Sequence, residues 1–593
     1  MTLHGGGPTK PGGSARLPQA YRTVVAEGLP RGFRHFALKG RFRPAATGNR
    51  QEMAERSARL AARMNARLEW DAVPPRQRGL EDPIRKDRPD LRDNPYIPSG
   101  YTYLLQFVAH DMVATRLPFW AAGNLDQDTA NDRDHRLGLD ALYGDGPQTM
   151  RMIYAPGDPR DLSRTKLQIG RSGPVATGNG TLVCPFRDIA RLKLANTAAN
   201  LPGLTEPLIA DPRNDDHAVI SQLTMVFSHL HNIFIDRQTP EPVNAATADF
   251  THDAAKRFAN AREATTLIYR HVIRDDLLKR LLHPSVHALY STGRPPFLDA
   301  LAGARTAGVP LEFSHAAFRF GHAMVKDSYR INASSPAFGQ FMKDALTRFS
   351  SAGNIRMEPL PASWLVQWSN FFNIPGVTDP NQINLSRRIG PSEPMALSST
   401  AFGPIDPSGG AGVFYRDLIS GELANLWPAS ELLSAMREHE SLAPLVNGSP
   451  LLRDDYWQNE IMAWLRGGDF QGTPRPWTGL REEAEAEDIA SLCVDPPLLF
   501  FLLFEAFKDP ESLGCRLGRF GSILVADPLF GELNNRLPSE EHYGSLAEQL
   551  ETIHPGFGDP VFDHPATMAV IIGFIDRHLR ANPDPAMSLP SLL

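Results

Sequence analysis

Hydrophobic positions along this chain recur at spacings of three and four much more often than two, the signature of helices packed through one face. In "AVISQLTMVFSHLHNIFIDR", Ile220, Leu223, Phe227, Leu230 and Phe234 step by 3, 4, 3 and 4. That predicts an amphipathic helix, with the preceding "RNDD" supplying N-cap candidates and acid for its first turn. In "FSHAAFRFGHAMVKDSY", His315, Phe318, His322, Val325 and Tyr329 form a second stripe of the same kind, behind a Ser314 cap. The runs "LLFFLLF" (498–504) and "MAVIIGFI" (568–575) are too short for a bilayer span of roughly 20 residues and read as buried core helices. "REEAEAED" (481–488) reads as a solvated helix face. Strand-like alternation is scarce and short, so the expectation is a mainly α protein with few short strands.

One apolar run departs from this pattern. "LLQFVAHDMVATR", residues 104 to 116, carries Gln106 and His110 four residues apart and then Asp111. That spacing puts Gln106 and His110 on one helix face, one turn apart, while Leu105, Phe107, Val108 and Met112 leave little solvated surface. Burying two such groups without partners costs roughly 1–3 kcal/mol each, so something must meet them.

Composition narrows the setting. With 42% hydrophobic and 22% charged residues over 593 positions, and no internal repeat, the chain can bury a large core as one unit. A formal net charge of -6 provides no basic footprint for nucleic acid and no polybasic membrane anchor. Residues 1–20 are rich in Gly and Pro and are expected to be a disordered tail. Residues 21–100, dense in Arg and Pro, are expected to form an extended arm wrapping a helical body that spans 101–593. The N-terminus lacks the apolar stretch of a secretory leader, and no run suits a transmembrane segment, so the expected location is cytoplasmic, or exterior by a route without a signal peptide. Cys184, Cys493 and Cys515 are too few and too scattered for a disulfide framework or a Cys-rich metal site. His229 and His231, two apart, fall on different helix faces and cannot chelate one ion.

A buried His with a Gln one turn away can carry a proton to or from a small molecule held between them. A second buried His beside a Gly, as in Gly321–His322, can ligate the iron of a flat macrocycle, since the missing β-carbon admits something broad. Together they point to haem. The same blocks carry a resemblance. "LLQFVAHDM" resembles the distal "GQFxDHD" segment of the animal-type haem peroxidases, the myeloperoxidase and peroxidasin superfamily with its bacterial members. "RFGHAM" is similar to that family's proximal segment, and "RNDDHAVISQLTMVFSHLHNIF" to its "R-x-x-E" stretch ending in a structural "HN" pair. "YRDLISGELANLWPASEL" and "PPLLFFLLFEAFKDPESLGCRLGRFGSILVADPLFGEL" resemble two later blocks in the same order. The likeness runs from about residue 95 to about 590.

The resemblance implies a large helical haem-peroxidase domain and a role for each matched position. His110 is the distal acid–base residue, Gln106 orders water and the incoming peroxide or halide, and Arg213 stabilises charge as the O–O bond breaks. His322 is the axial ligand of haem b, Arg319 a partner for a haem propionate, and Asp417 the acceptor for the proximal ring N–H. Ala109 stands where the family has an ester-forming Asp, and Asp216 where it has the second ester-forming residue, leaving at most one haem ester, via Asp216. In the family's calcium loop, Asp111, Asp134, the Arg136 carbonyl and Asp140 remain while Gly138 replaces a carboxylate, implying a weakened hard-cation site. The implied activity is reduction of hydrogen peroxide through a ferryl intermediate, with oxidation of a small phenolic or halide reductant. The alternatives are a fatty-acid dioxygenase of the same superfamily, against which Arg319 counts by occupying the radical Tyr position, and a haem-free scaffold.

Overall fold

The computed structural model describes residues 32–44, 48–65, 91–115, 117–118, 121, 130–133, 136–155, 164–170, 174–177, 180–183, 188–193, 205–239, 252–304, 308–348, 350, 360–453, 456–466, 482–541 and 544–581. The tail 1–20, Asp134 and Cys184 lie outside them.

The architecture is mainly α. Among the described residues, strands form only two-stranded ladders. Helix Ala218–Asp236 is the axis of the core, buried at every position except Asn232 and Asp236. It packs against helices Gly100–Met112, His252–Val272 and Met568–Ala581. An aromatic triad joins the first three of these four elements. Phe107 and Phe227 stack at 4.9 Å, and each meets the edge of Tyr269, at 6.0 and 5.6 Å; such pairs contribute about 0.5–1.5 kcal/mol beyond the area they bury. Polar residues inside the axial helix are satisfied locally: Ser221, Thr224 and Ser228 hydroxyls donate to carbonyls three or four residues back. Although this helix has the length and apolarity of a membrane span, 94% of that stretch is buried inside the protein. The expected "RNDD" cap does not start it. Arg213, Asn214 and Asp215 belong to a 3₁₀ turn, Pro212–Asp215, that Asp216 follows, and the cap is His217, whose Nδ1 accepts the Ile220 N–H at 3.2 Å.

Within residues 21–100, strand Phe33–Arg34 pairs in parallel with Val309–Pro310, and Asp93–Pro98 pairs antiparallel with Leu385–Arg387. Between them, helix Arg50–Asn65 packs against helix Val413–Leu423. Glu312 clamps this segment to the body: Oε1 meets His35 Nδ1 at 2.6 Å and Oε2 accepts the Phe36 N–H at 2.9 Å. Trp427 adds its indole N–H to the Phe36 carbonyl. Helix Leu498–Lys508 supports both Val413–Leu423 and the segment Ala317–Met324. Its Glu505 accepts the N–H groups of Phe520 and Gly521 at 2.8 and 2.9 Å, fixing the start of helix Arg519–Leu533.

Candidate functional site

Helix Gly100–Met112 is buried everywhere except at Gln106 and Ala109, so its open stripe is the face that also carries His110. Asn214, in the 3₁₀ turn, sets the imidazole. Its Nδ2 donates to the Ala141 carbonyl at 3.3 Å, which turns Oδ1 toward His110 Nδ1 at 2.8 Å. Nδ1 therefore carries the proton, and Nε2 keeps a lone pair with no hydrogen-bond partner among the described residues. Burial, reinforced by the neighbouring Arg213, pushes His110 down to about 3, so the ring is neutral at ordinary pH.

Arg213 is held at the same place. Asp211 caps the turn by accepting the Arg213 N–H and binds its guanidinium through Nε at 3.0 Å and Nη2 at 2.6 Å. Nη2 also donates to the His110 carbonyl at 3.0 Å, as does Arg133 Nε at 3.0 Å. Arg133 forms an ion pair with Asp211 as well. Burial alone would raise the Asp211 carboxyl, but the two guanidinium groups hold it well below the carboxylate range. The Arg213 side chain is one-third exposed, and Nη1 takes no hydrogen-bond partner among the described residues. Gln106 Oε1 lies 2.9 Å from His217 Nε2. Asp216 ends the turn, half-buried, and burial raises its carboxyl to about 7 against the pull of Arg213.

The second imidazole sits on a segment that departs from the predicted helix. A short α-turn, Leu311–Ser314, breaks at His315 and Ala316, and Ala317–Met324 continues as a 3₁₀ helix. Ser314 is the last residue of the α-turn, where its hydroxyl donates to the Pro310 carbonyl, and Tyr329 lies in a strand. In a 3₁₀ helix residues three apart eclipse, so Arg319 and His322 share one edge. Both reach Asp417 on helix Val413–Leu423: His322 Nδ1 meets Oδ2 at 2.6 Å and Arg319 Nη1 donates to Oδ1 at 2.5 Å. Burial would raise this carboxyl, yet His322 and Arg319 hold it below its ordinary value. His322 Nδ1 is thus the donor, and Nε2 takes no hydrogen-bond partner among the described residues, on a side chain that is 40% exposed. Arg319, expected to partner a propionate, is held by Asp417 and, through Nε, by the Ser314 carbonyl at 3.0 Å. The reason is electrostatic: a carboxylate that is only 2% exposed needs a cationic neighbour.

The two segments pack together. A β-carbon on Gly321 would stand 2.7 Å from Leu105 Cδ2, so what the glycine admits at this point is helix Gly100–Met112. This contact sets the neighbours of Gln106 and of His322 against each other. The residue types suit an iron porphyrin: an imidazole whose Nδ1 is tied to a carboxylate, at His322, and on the packed neighbouring elements an imidazole, an amide and a guanidinium.

In the expected calcium loop, Asp134 lies outside the described residues, and the oxygens that are described already accept hydrogen bonds. Asp111 Oδ2 and Oδ1 accept the Leu139 and Ala141 N–H groups at 3.0 and 3.2 Å, and burial beside Asp140 raises the carboxyl to about 6. Asp140 Oδ1 accepts from Arg262 at 3.1 Å, and the Arg136 carbonyl accepts from Arg270 Nη1 at 3.0 Å. Among the described residues, backbone N–H groups thus hold the Asp111 oxygens, and guanidinium groups hold Asp140 and the Arg136 carbonyl. His231 and Asn232 are structural: the first bonds Tyr143 and Thr165, the second both backbone groups of Leu167.

Asn214, Asp211 and His217 were not legible as site residues. Their one signal is a dense polar cluster directly before a long, almost wholly buried helix.

No protein-family model and no curated protein sequence matches the chain. Among solved structures it is similar to peroxidase A from Dictyostelium discoideum, over 93% of each chain at 13% identity with a TM-score of 0.43. It is likewise similar to the fatty acid alpha-dioxygenase of Oryza sativa, over 93% of this chain and 82% of that one, at 12% identity with a TM-score of 0.48.

Proposed function

We propose that this chain is a haem-dependent peroxidase that reduces hydrogen peroxide and oxidises a small phenolic or halide reductant. The observation that carries the reading is the matched pair of imidazoles. His110 and His322 each have Nδ1 tied to a protein oxygen and Nε2 open, on two segments that pack against each other. His322 would hold the iron, with Asp417 accepting its ring proton and so raising the basicity of the other nitrogen. Haem bound there supplies the redox chemistry that cleaves the O–O bond. His110 Nε2 takes the proton of the incoming peroxide and returns it to the departing oxygen. Arg213, with Nη1 free, stabilises the negative charge that develops on that oxygen. Gln106 binds the peroxide or a halide, and Asp216 is the carboxyl open to one ester link.

Absorbance spectra of the purified chain loaded with haem, before and after hydrogen peroxide, test this reading. His322→Ala is expected to lose haem, and His110→Ala to keep it while the peroxide reaction slows by roughly 10²–10⁴-fold. Absence of a Soret band after haem loading would overturn the reading in favour of a scaffold.

One observation favours fatty-acid oxygenation as a second reading. Tyr103 and Tyr329 are buried edge to face at 5.7 Å, and Tyr103 lies 5.0 Å from the His217 ring that bonds Gln106. A phenol pair this close to the site could hold a radical. Fatty-acid-dependent oxygen uptake without added peroxide distinguishes it from the first.

A further inference from the structure

We propose that His217 is a positioning residue that fixes the side-chain amide of Gln106 with its NH₂ group, and never its carbonyl, turned toward the ligand. The placement of Gln106 is structural; its consequence for ligand choice rests on the peroxidase reading above.

The orientation follows from a chain of donors and acceptors with no free choice in it. The Ile220 N–H must donate, because it is an orphan group of the first turn of a buried helix, and it donates to His217 Nδ1 at 3.2 Å. Nδ1 is then the acceptor nitrogen, and the neutral ring carries its proton on Nε2. Nε2 stands 2.9 Å from Gln106 Oε1 and donates to it. The amide oxygen is thereby committed, leaving the two N–H donors of Gln106 for the open stripe of its helix. The ring cannot easily reorient: it is 2% exposed and meets the Tyr103 ring edge-on at 5.0 Å. Burial and the nearby His110 keep it uncharged, with its value lowered to about 3.

The site is therefore polarised. His110 Nε2 offers a lone pair, and Gln106, one turn away, offers only donors. A ligand that gives a proton to the first and accepts a hydrogen bond from the second fits both; hydrogen peroxide, an alkyl hydroperoxide and hydrogen cyanide have this character. Were the Gln106 amide free to turn over, its carbonyl would repel the electron-rich end of such a ligand.

Two substitutions separate this role from helix capping. His217→Asn keeps a cap for Ile220 but is too short to reach Gln106, whereas His217→Gln places an N–H near the Nε2 position and gives up the cap. In the full chain without haem, ¹⁵N spectra of the imidazoles are expected to show His217 protonated at Nε2. Protonation at Nδ1 would overturn the proposal whatever the protein binds. In the haem-loaded protein, cyanide titrated by absorbance is expected to bind His217→Asn about tenfold more weakly, the loss of roughly one oriented hydrogen bond. His217→Gln should bind it as the parent does, although it unfolds at lower temperature. Equal weakening in both variants, or none in the Asn variant, would make His217 a cap and no more. Failure to load haem would sink the peroxidase reading and leave the spectroscopic test standing by itself.

Discussion

Asp417 joins two residues three apart on one 3₁₀ edge: its Oδ2 lies 2.6 Å from His322 Nδ1 and its Oδ1 2.5 Å from Arg319 Nη1. The carboxylate therefore sets both the tautomer of the imidazole and the charge behind it. Asp417→Asn retains an acceptor but removes the charge, so the reduction potential of bound haem is expected to rise. A redox titration that shows no rise would contradict this. Asp417→Ala strands Arg319 and is expected to cost on the order of 3 kcal/mol, measured by urea unfolding.

Gly321 and Leu105 meet where helix Gly100–Met112 packs on the segment Ala317–Met324. Gly321→Ala puts a methyl group where Leu105 already stands, and overpacking of this kind costs roughly 1–3 kcal/mol. Leu105→Ala in the same chain makes room for it. The double variant is expected to be more stable than the sum of the two single losses; strict additivity in thermal unfolding would mean that the contact is not made.

The helices were legible because 218–236 is packed on every side and its apolar spacing has no competing reading. His110 and Gln106 were legible as polar intruders in an apolar run. The stripe from His315 to Tyr329 misled because a spacing of three suits both α and 3₁₀ geometry, and the break at His315–Ala316 leaves no Gly or Pro to announce it. Asn214 and His217 acquire their roles from Ala141, His110 and Gln106, up to 111 positions away, which local pattern cannot reveal.

Arg262 donates to Asp140 and to the Gly138 carbonyl, two residues of the expected calcium loop. A chelator should leave the melting temperature unchanged, and added calcium should not raise it. Arg262→Ser should lower stability by no more than about 1 kcal/mol, because the pair is partly solvated. A drop in melting temperature on chelation would restore the cation site.

The pH dependence of stability follows from two opposed sets of buried groups. Burial lowers His110, His217 and His231 to about 3, 3 and 4, so the unfolded chain takes up protons below pH 6.5 that the folded chain refuses, and stability falls with acid. Burial raises Glu393, Glu505 and Asp527 to about 8, so above pH 4 the unfolded chain releases protons that the folded chain keeps. These three lose their contribution as pH climbs to 8. Each group changes stability by about 1.4 kcal/mol per pH unit within its own window. Between pH 4 and 6.5 the slopes oppose each other; from 6.5 to 8 only the carboxyls among these six act. The urea midpoint is therefore expected to be highest below pH 6.5 and to decline toward pH 8, and a midpoint that climbs over that interval would be inconsistent with the buried acids.

The clamp on Glu312 and the pairing of Asp93–Pro98 with Leu385–Arg387 have a consequence for biogenesis. Residues 33–98 are translated before their partners: those of Phe36 and His35 emerge some 276 and 277 residues later, and Trp427 later still. A growing chain must carry these segments unsatisfied until most of the body exists, with the delay that such distant closure brings. Segments made before the body are thus among the last to settle, and the turn beside Glu312 is secured only when they do.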